Sequence, residues 1–123
     1  MKKILLASIV LTLLFVGIYA TNSEAQTRNQ RAMQGQVVSL ADVIRGERNL
    51  QLTRERATEL LENGSPLVFL HNKKIHFVQN DDGSFAFRRL SNFAHNKNVR
   101  ITGTARTVSG INVIIMSNIE SMD

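Results

Sequence analysis

The sequence predicts a small, mainly β domain of the α+β class: a five-stranded barrel, closed or partly open, with two short helices. Three observations predict it. Apolar stretches of strand length recur between Gly, Asn and Asp turn signals. A helical pattern follows the first of these stretches, and a shorter one precedes the last pair. The final two stretches flank Ser109-Gly110 and alternate in polarity, as a hairpin does. The chain has 123 residues, no Cys, no Trp and one Pro, and its length bounds it to a single domain. Without Cys there is no disulfide scaffold, no Cys-based zinc or iron–sulfur site, no thiol nucleophile and no lipid anchor built on a Cys.

The N-terminal segment stands apart. Lys2 and Lys3 precede a run of 17 residues, 4–20, in which only Ser8, Thr12 and Gly17 interrupt the apolar side chains. Polar residues follow, and Ser23-Glu24-Ala25 places small residues at both recognition positions before a cut. This order reads as a signal peptide over residues 1–25, leaving Gln26 as the first residue; a cut after Ala20 is the alternative. Retention as a membrane anchor is the competing reading, since the run nearly reaches spanning length. The expectation is an exported protein, periplasmic or secreted, with no transmembrane segment after cleavage. Removing residues 1–25 takes two of the 15 basic and one of the 10 acidic residues, so the net charge falls only from +5 to +4. The apolar share falls from 43% to 37 of the remaining 98 residues. Such a domain has a modest core and depends on packing for its stability.

The elements follow in order. Residues 26–34 read as a polar linker and residues 35–123 as the barrel domain. Gly35-Gln36-Val37-Val38-Ser39-Leu40 is the first strand, and residues 41–52 are irregular with a turn at Gly46. Thr53 is suited to cap a helix that presents Ala57, Leu60 and Leu61 on one face and stops at Gly64 and Pro66. Arg54, Glu55, Arg56, Glu59 and Glu62 then face solvent, with Arg56 and Glu59 spaced to pair. Residues 67–71 and 74–79 form a tight hairpin about Asn72-Lys73. Asn80-Asp81-Asp82-Gly83 is a turn, residues 84–88 continue as a strand, and Leu90, Phe93 and Ala94 recur at helical spacing over residues 89–96.

In the last hairpin Val99, Ile101, Gly103 and Ala105 alternate with Arg100, Thr102, Thr104 and Arg106. A two-residue Ser109-Gly110 loop would set Ile101 against Asn118. A three-residue Val108-Ser109-Gly110 loop sets Val99 against Ile119, Ile101 against Ser117 and Gly103 against Ile115. The second register keeps one face apolar and is the one expected. Ile114 and Met116 then lie on the opposite face, so this strand is expected to be covered on both sides. Five strands with a helix before the final pair resemble the OB-fold class. The helix at 53–63 departs from its simplest form, and Gly103 suits the bend of a small barrel.

Gly35-Gln36-Val37-Val38, residues 57–61, Gly64-Ser65-Pro66-Leu67-Val68-Phe69-Leu70, Asp82-Gly83 and Val99-Arg100-Ile101-Thr102-Gly103 resemble a group of small exported bacterial proteins with an OB-like barrel. In those proteins the first strand and the helix carry Cys and His residues that look like metal ligands. The helix here reads Arg56-Ala57-Thr58-Glu59-Leu60-Leu61, so the resemblance covers the framework and carries no metal site or cofactor with it.

Three groups of residues bear on function. His71 and His76 are expected on one face of the first hairpin as diagonal neighbours, about 7–8 Å apart. Two imidazoles could help hold Zn²⁺ or Cu²⁺ with a third ligand, but Lys74 opposes a cation and two exposed strand-end histidines are the plainer reading. Phe85-Ala86-Phe87-Arg88-Arg89 places two rings on one strand face beside two guanidinium groups, a pattern used for single-stranded nucleic acid on this fold. The competing reading buries both rings in the core. Lys73, Lys74, Arg88, Arg89, Lys97, Arg100 and Arg106 are spread over hairpins and strand faces, and a patch would form where the hairpins converge. No signature of acid–base or nucleophilic chemistry surrounds the Ser, Thr or Asp residues, and Asp81-Asp82 reads as a turn. The expected function is therefore an exported, non-enzymatic binding module, engaging a protein or anionic envelope component through Lys73, Lys74, Arg88, Arg89, Arg100 and Arg106, with Phe85 and Phe87 buried. The alternatives are a single-stranded nucleic-acid-binding module and a metal-binding protein using His71 and His76.

Overall fold

A computed structural model describes residues 30–123. The expected signal segment, 1–25, and linker residues 26–29 lie outside the described residues. The elements are β1 (Gln30–Ser39), α1 (Leu40–Arg45), α2 (Arg54–Glu62), β2 (Leu67–His71), β3 (Lys74–Gln79), α3 (Phe87–Ser91), β4 (Val99–Val108) and β5 (Ile111–Ser121). The strands close into a barrel in the order β1-β2-β3-β5-β4. Antiparallel ladders join β1 to β2, β2 to β3 and β4 to β5, while β3 and β5 run parallel. This is the small OB-like barrel that the sequence predicts, with three short helices rather than two.

Local chemistry sets the helix ends. The Ser39 hydroxyl accepts the Asp42 N–H and Gly46 closes α1 in the left-handed region at φ 76°. This helix falls where an irregular stretch is expected, and its signal was the Ser39/Asp42 spacing followed by glycine. The Thr53 hydroxyl caps α2 through the Arg56 N–H at 3.1 Å. Ala57 and Leu60 turn inward, and the Ser65 N–H returns to the Leu60 carbonyl at 2.8 Å. As expected, Arg56 and Glu59 pair, at 3.1 Å.

The core gathers Val37, Leu67, Phe69, Val78, Ile101, Ile114 and Met116 from the strands, with Leu52, Ala57, Leu60, Leu90 and Ala94 from the helices and their flanks. Each fully buried large side chain contributes about 1.5–3 kcal/mol.

Three further expectations are corrected. β1 begins at Gln30, so residues 30–34 are strand and not linker. Residues 84–88 do not form a strand: Phe85 makes one bridge to Gln79, and the chain then turns at Ala86 into α3, which starts at Phe87 and not at residue 89. The β4–β5 loop has two residues, pairing Val108 with Ile111 and Gly103 with Met116. A bulge then shifts the register, so Thr102 faces Asn118 and Ile101 faces Ile119. Ser117 is the extra residue. It resets the phase of β5, so that Ile114, Met116 and Ile119 all reach the core although their spacing is not a simple alternation. Gly103 lies at this step, where a Cβ would stand 2.1 Å from the Ile115 carbonyl oxygen.

Candidate binding surface

Both tight hairpins lie at one end of the barrel. Phe77 pairs with Val113 in parallel register, which continues to place Lys74 level with Gly110. The Asn112 side-chain amide donates to the Ile75 carbonyl at 3.3 Å and ties the two hairpins together. Each turn holds left-handed residues: Asn72 and Lys73 at φ 52° and 64°, Ser109 and Gly110 at φ 51° and 81°.

An apolar row crosses the outside of the barrel. Val38 pairs with Val68, the β2–β3 register sets Val68 against Phe77, Phe77 meets Val113, and Val113 meets Arg106. Val38, Val68 and Val113 are buried yet stand apart from the interior cluster. At the β5 side this row opens into a groove of about 370 Å³ lined by Phe77, Gln79, Phe85, Arg106, Val108, Ser109, Ile111 and Val113. The Phe77 and Phe85 rings meet edge-on at 6.0 Å, and Phe85 stacks on Phe87 at 5.2 Å with planes 3° apart.

The expected burial of Phe85 and Phe87 is overturned. Phe85 is 52% exposed and Phe87 is half-buried. The reason is the turn at Ala86. Its own side chain, 2% exposed, enters the core, while its N–H reaches the Val78 carbonyl at 2.9 Å. The flanking rings are thereby held outside and face to face.

The basic residues divide between the barrel ends. Lys73 and Lys74 lie at the hairpin end, with Arg106 about 10 Å along the strands from them at 3.3 Å per residue. Residues 63–80 and 97–119 contain no Asp or Glu, and among the described residues no carboxylate pairs with these three cations. Arg88, Arg89, Lys97 and Arg100 belong elsewhere. Arg88 and Arg89 sit on α3, beyond the far end of β3, where Arg89 donates to the Asn80 side-chain oxygen at 3.2 Å. Lys97 precedes β4, and Arg100, near its start, pairs with Glu120 at 3.4 Å. A single patch of all the expected cations does not form.

His71 and His76 lie where the first hairpin was expected to place them, with Phe69 opposite His76 and His71 opposite Lys74. Their rings are 5.9 Å apart. His71 Nδ1–H donates to the Gln34 carbonyl at 2.7 Å, and the Asn72 amide donates to His71 Nε2 at 3.2 Å. His76 Nδ1–H donates to the Lys74 carbonyl at 3.2 Å. Burial lowers the His76 pKa below its ordinary value, and the neighbouring His71 and Lys74 charges act the same way. Among the described residues no third His, Asp or Glu joins them as a ligand group. Asp82 accepts the Ser84 hydroxyl at 2.6 Å and the Ser84 N–H at 2.9 Å, which holds its carboxyl below the usual range and marks it as a turn residue.

Sequence reasoning missed Phe77, Val108 and Ile111 as surface residues. Their signal was the apolar character of both faces of β5 and of the outward positions in β3. Among the described residues no helix is long and apolar enough to cross a membrane. Comparison with family models, curated proteins and solved structures gave no match.

Proposed function

We propose that the domain is an exported, non-enzymatic binding module that holds an anionic protein or envelope component at its hairpin end and along the adjoining groove. One observation carries the reading: the Phe77 and Phe85 rings line the groove beside Arg106, with Phe87 stacked on Phe85, Lys73 and Lys74 at the neighbouring turn, and no carboxylate over residues 63–80 and 97–119. An exposed apolar groove rimmed by one sign of charge is a recognition surface: the rings supply buried area and the cations supply attraction and orientation. Nothing in the groove is arranged as a nucleophile with its base, and its polar groups, Gln79, Arg106 and Ser109, are suited to contacts rather than proton transfer.

The test is capture of envelope components by the immobilised chain at low and high salt. Retention at low salt that is lost with Arg106→Glu, and weakened with Phe85→Ser, supports the reading. Retention unchanged by both substitutions would sink it.

The stacked Phe85 and Phe87 rings favour a second reading, binding of single-stranded nucleic acid. Base stacking contributes about 1–3 kcal/mol per base on such platforms. Fluorescence anisotropy with labelled oligonucleotides separates the two: no binding at low salt removes the nucleic-acid reading alone.

A further inference from the structure

We propose that the hairpin end docks on an anionic phospholipid bilayer, with the β4–β5 turn seated among the headgroups. This rests on the binding-module reading and narrows its partner to a lipid surface.

The composition of the tip carries the inference. Val108 and Ile111, paired across the Ser109-Gly110 turn, are 46% and 51% exposed. They are aliphatic, at the extreme of a two-residue turn, and too few to form a protein core. Level with them on the adjacent hairpin stand Lys73 and Lys74, both exposed. Aliphatic side chains that enter the interface, ringed by lysines that stay in the headgroup layer, match the cross-section of a bilayer surface. The opposite end is mixed in charge: Asp81, Asp82, Glu120 and Asp123 lie there with Arg88, Arg89, Lys97 and Arg100, so an anionic surface favours the hairpin end, where Lys73 and Lys74 have no carboxylate beside them. The orientation is thus fixed by charge.

The rings on which a single strand would stack lie down the side, at Phe77, Phe85 and Phe87, so the tip presents aliphatic and basic side chains without an aromatic platform.

The absence of native Cys makes a single label possible. The full chain is labelled with an environment-sensitive fluorophore at Ser109→Cys, an isosteric change, and separately at Asp82→Cys as the far-end control. Thr107→Cys provides a second tip position should Ser109→Cys fold poorly. On vesicles containing phosphatidylglycerol, the tip probe is expected to shift blue and brighten, and the control to stay unchanged. On phosphatidylcholine vesicles neither should shift. Lys73→Gln with Lys74→Gln should weaken the response about 25-fold, at about fivefold per cation. An unshifted tip probe on vesicle-bound chain, equal shifts at both positions, or an equal shift on phosphatidylcholine overturns the proposal. If the tip fails to respond while lipid-free envelope protein is still captured in a salt-sensitive manner, the lipid assignment falls and the binding-module reading stands. If both fail, both fall.

Discussion

The two hairpins use the same turn and different ladders. Asn72-Lys73 and Ser109-Gly110 are both two-residue loops with left-handed residues, whose twist matches that of the strands they join. In β2–β3 the register runs unbroken from Lys74 opposite His71 to Phe69 opposite His76. In β4–β5 it breaks between Thr102 and Gly103, and Ser117 is left without a partner. The short hairpin can follow its turn alone. The long one must also bend to close the barrel, and the bulge supplies that bend while returning Ile119 to the inside.

The difference can be broken at five points, from the largest expected effect to the smallest. Gly103→Ala should be the most damaging, costing about 3 kcal/mol or more, because the added carbon meets the Ile115 backbone and no flexible side chain can yield. Urea melts measure it, and a loss below about 1 kcal/mol would mean the bulge does not need the glycine. Deleting Ser117 should be milder, about 1–2 kcal/mol, since it heals the ladder and leaves Ile119 facing Ile101. An unfolded deletion variant would mean that the barrel cannot close without the bend. The turns should respond with opposite signs. Gly110→Ala loses about 1 kcal/mol at φ 81°, whereas Lys73→Gly gains up to about 1 kcal/mol at φ 64°.

The smallest effect is on pH dependence. Folding lowers the His76 pKa, so the folded state favours neutral imidazole and the unfolded chain binds protons more readily. The contribution of His76 is fully present above its ordinary value of 6.5 and is lost as pH falls below it. His76→Gln should flatten that part of the stability–pH curve, read from melts at pH 7.5 and pH 5. A curve unchanged by the substitution would place the dependence elsewhere.

Local signals were the most legible. Thr53, Gly64 and Asn72-Lys73 marked the α2 cap, its stop and the first turn, because each acts through its own backbone. The β4–β5 register was not legible, because apolar alternation assumes a regular ladder and a bulge changes its phase without changing the composition. The expected site was legible in part. Lys73, Lys74 and Arg106 do share one end, while Arg88, Arg89 and Arg100 were separated from them by the fold. Phe85 and Phe87 lie outside the core against expectation, since nothing in their alternation announces that Ala86 will take the inward position.

The parallel seam between β3 and β5 sets the order of assembly. Its register joins residues 36 apart in sequence, Phe77 to Val113 through Gln79 to Ile115, whereas each hairpin joins strands across two residues. Loop closure makes such distant pairing slow relative to hairpin formation. The two hairpins are therefore expected to form first as separate ribbons, with the seam zipping late. Amide hydrogen exchange should accordingly find the seam opening before either hairpin does, with the Asn112–Ile75 tie among the first contacts released.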